Sequence, residues 1–303
     1  PENSPVYDPE NTMRFESVLF DVETGFRYGP AGYNLSQTEQ AGPDDFMFIA
    51  GCDSLMRYSV TQNRITERLT YSPLGCSMCR FSEYEMSPTG LTLSTRFDCD
   101  YDLMLAESGN LRDFKRFDLQ SLSGQYSVSR VPVSDAGTGL VNTVNSGFYV
   151  YDFKSSTQKG FYTSETSYAS GLALSSDGKY LFASDDAFRL VRFDDPGFTT
   201  IWTRTEYGLP AFCEFHGTDP DALVYWDGSV FSIRNCSDFS VEYSFPLTDD
   251  AVLHVDYYGN ELLSYSEGHL FVRSLTDGSL IKDIPYGQNV SAFYYRPILV
   301  NHT

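Results

Sequence analysis

Residues 170–205, SGLALSSDGKYLFASDDAFRLVRFDDPGFTTIWTRT, alternate apolar with polar side chains: Leu172 and Leu174, then Tyr180 and Phe182, then Leu190, Val191 and Phe193, then Ile201. Three turn signals divide the run, Ser-Asp-Gly at 176–178, Asp-Asp at 185–186 and Asp-Pro-Gly at 195–197. Short runs of period two, each closed by Gly, Pro or Asp, predict four antiparallel strands joined by tight hairpins. These strands are lettered a to d. One such sheet cannot cover both of its faces, so it needs neighbours of the same kind.

The neighbours are legible as copies aligned on the turn after strand c. Phe20-Asp21, Tyr58-Ser59, Phe117-Asp118, Tyr151-Asp152, Phe193-Asp194, Arg234-Asn235 and Arg273-Ser274 each precede a turn-rich segment, at successive spacings of 38, 59, 34, 42, 41 and 39 residues. All but one spacing fall near the period of a four-stranded repeat. With the segment S-x-D-G-K-Y-L at 175–181 between strands a and b, and Phe193-Asp194 where Trp-Asp is usual, the chain resembles the WD40-type (YVTN/WD-type) β-propeller repeats. Residues 170–205 lack the Gly-His dipeptide of that family. The resemblance implies an all-β, seven-bladed propeller of four-stranded antiparallel blades. The ring would be closed by strands c and d from residues 13–28 pairing with strands a and b from residues 290–303. Residues 13–303 are then one propeller domain, and residues 1–12, rich in Pro and acids without periodicity, an extended tail or linker.

The chain holds 41 acidic and 21 basic residues, a formal net charge of -20. Such a surface repels nucleic acid and anionic lipid, and favours basic proteins, cations or neutral ligands such as glycans. Simple solubilisation of a Tyr- and Phe-rich chain is the competing reading. No apolar run reaches the length of a membrane span, so membrane insertion is not expected.

Four of the six cysteines, Cys52, Cys76, Cys79 and Cys99, fall in b–c turns and d–a connectors of two adjacent repeats, which lie on one face of a propeller, its top. Two disulfides in an oxidising compartment, a four-thiolate zinc site and unpaired buried thiols are the three readings. The long spacing is read as an insertion at residues 97–113, FDCDYDLMLAESGNLRD. In an extended segment Asp98, Asp100 and Asp102 point to one side, which makes Ca²⁺ a natural candidate ligand, against the alternative of a solvated acidic loop. Further top-face turns carry Asp185, Asp186, Trp226, Asp227, Glu267 and His269, expected to form a broken ring of acids with an exposed Trp able to stack on a sugar or anchor a peptide. Turn chemistry alone also demands Asp and Gly at such hairpins.

The four histidines are spread over residues 216–302, and no nucleophile elbow, zinc-helix motif or phosphate loop is present. The expected function is therefore a non-catalytic binding module, extracellular or at a cell surface, taking a protein or glycan ligand or copies of itself on the top face. The alternatives are a metal-dependent hydrolase or lactonase whose carboxylates converge from several blades, and an intracellular WD40-like scaffold.

Overall fold

The computed structural model describes residues 19–20, 27–28, 35–50, 54–70, 81–97, 102–118, 131–143, 147–163, 170–205, 212–248 and 251–285. After a short ladder between β1 (Leu19–Phe20) and β2 (Arg27–Tyr28), the strands gather into six antiparallel blades. The first holds β3 (Leu35–Gln40), β4 (Asp45–Ala50), β5 (Ser54–Ser59) and β6 (Arg64–Thr70), paired in chain order. The second holds β7 (Phe81–Met86), β8 (Thr92–Phe97), β9 (Asp102–Glu107) and β10 (Asn110–Asp118). The third holds β11 (Thr138–Asn142), β12 (Gly147–Asp152) and β13 (Thr157–Thr163), with strand a reduced to the single bridge between Val133 and Gly139. The fourth holds β14 (Ser170–Leu174), β15 (Tyr180–Ser184), β16 (Phe188–Asp194) and β17 (Gly197–Arg204). The fifth holds β18 (Phe212–Phe215), β19 (Ala222–Trp226), β20 (Val230–Asn235) and β21 (Val241–Pro246). The sixth holds β22 (Ala251–Asp256), β23 (Glu261–Ser266), β24 (His269–Ser274) and β25 (Leu280–Pro285).

Where seven blades were expected, the described residues form six. The marker at Phe20-Asp21 belongs to a ladder of only two residue pairs, and β1 and β2 join no other described strand. Residues 290–303, expected to complete it, lie outside the described residues. A second correction concerns the insertion. Strand c of the second blade is β9 and strand d is β10, joined by the tight turn Ser108-Gly109, so residues 102–113 are regular blade structure, and residues 98–101 lie outside the described residues. The pair Phe117-Asp118 closes strand d instead of strand c. Measured from the true ends of strand c, at Ser59, Glu107, Asp152, Asp194, Asn235 and Ser274, the spacings become 48, 45, 42, 41 and 39 residues.

Inner strands explain why the alternation weakens where burial is greatest. Strand b of the fifth blade, ALVYW, is buried at every residue, and YLFAS of the fourth at all but its last, because blades stack against both faces of each sheet. Five apolar clusters each bridge two consecutive blades. One joins Ile49 and Leu55 to Tyr84 and Met104, and the next Leu103 to Val141 and Phe153. Others join Phe148 to Leu181, Tyr180 to Tyr225, and Phe231 to Leu262. A fully buried Phe148 or Phe231 contributes about 2–3 kcal/mol by removal from water.

The outer strands add a repeated seam. Strand d of one blade meets the c–d turn of the next, as Phe117 on Phe153 at 4.7 Å and Trp202 stacked on Phe239 at 4.1 Å between ring centroids. At the following seam Gly278 leaves room for the Phe245 ring, which a Cβ there would strike. Phe239 and Gly278 occupy the same place in their turns, both with positive φ, as do Asn63 and Ser156. A left-handed residue of this kind closes a four-residue hairpin loop in these four blades, and each of their c–d pairings carries a bulge.

Candidate functional site

Two opposite edges of the blades carry the polar groups, the b–c turns at one and the a–b turns at the other. At the b–c edge the residue following strand b is an acid in three consecutive blades, Asp185, Asp227 and Glu267. In the fourth blade Asp185 is a buried anchor with a side chain 5 % exposed, and its neighbour Asp186 projects at 57 %. Asp185 accepts the Ala187 amide at 3.0 Å and Arg189 Nε at 3.1 and 3.2 Å, while Arg189 donates a further bond to Asp186 at 2.7 Å. The Tyr162 hydroxyl reaches Asp185 at 3.3 Å; burial and then the Asp185 charge push this phenol up to about 12. Hydrogen bonding to Asp185 and then to Arg189 holds the Asp186 carboxyl below its ordinary value. One guanidinium thus fixes two carboxylates and leaves one of them facing solvent.

Asp227 is closed on its own turn. Its Oδ1 accepts the amides of Ser229 at 2.9 Å and Val230 at 2.8 Å and the Ser229 hydroxyl at 2.8 Å. Partial burial works against its ionisation, yet these bonds prevail and lower its pKa. Glu267 and Gly268, both at positive φ, form the two-residue turn between Ser266 and His269. Glu267 is exposed, and His269 Nδ1 pairs with Asp283 Oδ1 at 2.6 Å.

Trp226 corrects the expectation of an exposed stacking platform. Its ring is 8 % exposed, packs with Phe212, Phe231 and Val255, and donates Nε1–H to the Leu247 carbonyl at 2.9 Å. As the last residue of a strand buried on both faces, it is core and offers no ring to a ligand. Asp98 and Asp100 lie outside the described residues, and Asp102 opens β9 with its Cα opposite Asp118. Among the described residues no group of three or more His, Cys, Asp and Glu side chains gathers as a metal centre would. Cys52, Cys76, Cys79 and Cys99 also lie outside the described residues; Cys213 and Cys236, which are described, are free thiols.

Sequence reasoning read the a–b turn of the fourth blade but missed that the a–b turns meet one another at the opposite edge. Three share one construction: Ser87, Ser134 and Ser175, all buried, accept on Oγ the amides of Thr92, Thr138 and Tyr180, and a glycine three residues on closes each turn. The recurring Ser-x-x-Gly at 87–90, 134–137 and 175–178 was the available signal. Asp135 ties the second and third turns, accepting the hydroxyls of Ser87 and Thr89, and its amide donates to Ser176 of the fourth at 2.9 Å. Gln40 Nε2 donates to the fully buried Asp256 at 2.8 Å, joining the first blade to the sixth. Contacts also run between blades that do not follow one another in the chain. The Tyr258 hydroxyl donates to the Thr89 carbonyl at 2.7 Å, and a Cβ on Gly217 of the fifth blade would lie 2.6 Å from the Pro88 carbonyl of the second. Burial and the charges of Asp135 and Asp256 raise the Tyr258 phenol. The six turns therefore form a continuous floor across the inner-strand ends.

No family model matches the chain, and no curated protein matches it. Among solved structures it is similar to a chain in the crystal structure of a mitotic checkpoint complex, at a TM-score of 0.59 and 14% identity, over 97% of this chain and 88% of that one. It is also similar to a functionally unknown protein from Desulfotomaculum acetoxidans DSM 771, at a TM-score of 0.55 and 12% identity, over 88% of this chain and 91% of that one. At these identities the likeness shows the fold alone, a β-propeller.

Proposed function

We propose that the propeller is a non-catalytic interaction module whose b–c edge binds a protein partner through a basic segment. The observation that carries this reading is the acid at one turn position in three consecutive blades, Asp185, Asp227 and Glu267, with Asp186 projecting beside the first. The hydrogen bonds that lower Asp186 and Asp227 keep both ionised at neutral pH and hold them before any partner arrives. Preorganised charge of this kind steers encounter and selects a complementary surface. The likeness to a propeller found in a mitotic checkpoint complex supports a protein partner over a glycan. Loss of Trp226 as an exposed ring removes the main support for sugar stacking. An extracellular or cell-surface setting belongs to the same reading and rests on the cysteine pattern.

The test is paired affinity capture from the source cells with the wild-type chain and a variant carrying Asp186→Lys, Asp227→Lys and Glu267→Lys. The expected result is a partner recovered by the wild type and lost from the variant, whose melting temperature falls by only a few degrees as the Asp227 turn bonds are lost. Identical recovery by both proteins would overturn the proposal.

A further inference from the structure

The a–b floor also exposes apolar surface that the fold does not use. Leu91 is 57% exposed in the second turn and Tyr258 39% exposed in the sixth, and the Tyr258–Thr89 hydrogen bond seats the tyrosine beside the turn that carries Leu91. Isolated exposed apolar residues are ordinary, whereas two brought together at a junction of turns form a small patch. At the same edge the a–b turns carry Asp44, Asp177, Asp219 and Asp221, against Lys179 as their one lysine or arginine, and Lys179 itself lies 3.7 Å from Asp221. An apolar centre rimmed by one sign of charge is the anatomy of a protein-binding patch. The contacts between turns hold this floor rigid, so little ordering would be needed on binding.

We infer that the a–b floor is a second docking surface, which takes a protein segment presenting an apolar side chain between arginines or lysines. The partner's cations are the complement of the aspartates, and its apolar side chain covers Leu91 and the Tyr258 ring. This surface lies at the opposite edge of every blade from Asp186, Asp227 and Glu267, so it stands or falls independently of the b–c edge.

A random peptide library displayed on phage, panned on the immobilised full-length chain and counter-selected on a Leu91→Arg variant, tests the inference. The expected survivors carry Leu, Met or an aromatic residue flanked by Arg or Lys. A synthetic peptide made from them should lose about tenfold in affinity on Leu91→Arg and on Tyr258→Ala, the loss typical of a contact worth about 1.4 kcal/mol. Its affinity should fall with rising salt and be unmoved by Asp186→Lys. Leu91 is exposed in a turn, so Leu91→Arg should keep the wild-type melting temperature. The inference is overturned if no peptide discriminates the variant, if survivors lack cationic residues, or if Asp186→Lys abolishes binding.

Discussion

The two edges of the propeller are built on opposite plans. At the b–c edge the described turns are closed chiefly within their own blade: Asp227 binds only the backbone and hydroxyl that follow it, and Asp185 and Asp186 share an arginine on the next strand, with the Tyr162 hydroxyl of the third blade adding a bond to Asp185 from a neighbour. At the a–b edge the turns are closed on each other, with Gln40 bonded to Asp256 and Tyr258 to Thr89. A turn satisfied locally can change its outward side chains without disturbing the fold. A turn satisfied by a distant blade cannot. Variation for recognition is therefore cheapest at the b–c edge, and sensitivity to mutation should concentrate at the floor.

The sharpest break of that contrast comes from Gly217. A side chain there would collide with the Pro88 carbonyl and the Tyr257 ring, each 2.6 Å from the added Cβ. Neither backbone nor a buried ring gives way easily. Gly217→Val should cost about 3 kcal/mol, at the upper end for overpacking, read as a lower urea midpoint at unchanged m-value. A cost below about 0.5 kcal/mol, the level of an unremarkable surface change, would mean that the second and fifth blades do not meet.

Asp256 should follow closely. Removing its fully buried carboxylate strands the Gln40 amide and the Tyr258 backbone N–H at a part-buried junction between blades. Asp256→Ala should destabilise by about 2–3 kcal/mol, the cost of leaving buried polar groups unpaired. The matched change at the other edge, Asp227→Ala, frees amides that water can reach and should cost about 1 kcal/mol or less. Equal costs for the two aspartates would erase the distinction between the edges.

The same turn supplies a pH dependence. The folded-state pKa of Asp227 lies below its unfolded value, so its contribution is complete above the unfolded pKa and is lost as pH falls through the folded one. Urea midpoints measured from about pH 5 down to about pH 3, across the ordinary Asp range, should fall less steeply in Asp227→Asn than in the wild type. Parallel curves would show that the turn does not favour the charged form.

What the sequence disclosed follows the same division. The third to sixth blades were legible because their hairpins are local: Asp177-Gly178 and Glu267-Gly268 announce their own turns. The second blade was misread because its c–d hairpin is only Ser108-Gly109, and the aromatic-Asp pair used as a marker sits at the end of β10. Trp226 was misplaced because alternation cannot distinguish a turn residue from the last residue of a strand covered on both faces. The floor was invisible for a different reason. Gln40 and Asp256 are 216 residues apart, and no local pattern encodes their bond.

The smallest expected effect concerns reactivity more than stability. Cys213 and Cys236 are free, and burial pushes both thiols well above their ordinary range. The thiolate is the reactive form, so iodoacetamide should leave both untouched in the folded protein at neutral pH and label both once the chain is unfolded without reductant. Labelling of either in the folded state would show that the packing between the fourth and fifth blades, which covers them, opens on the timescale of the reaction. The same denatured sample counts the remaining thiols. If Cys52, Cys76, Cys79 and Cys99 stay unlabelled until reduced, they are paired and the exported setting gains support. If all four react at once, the disulfide basis for that setting is gone, and the b–c edge is to be tested against intracellular partners.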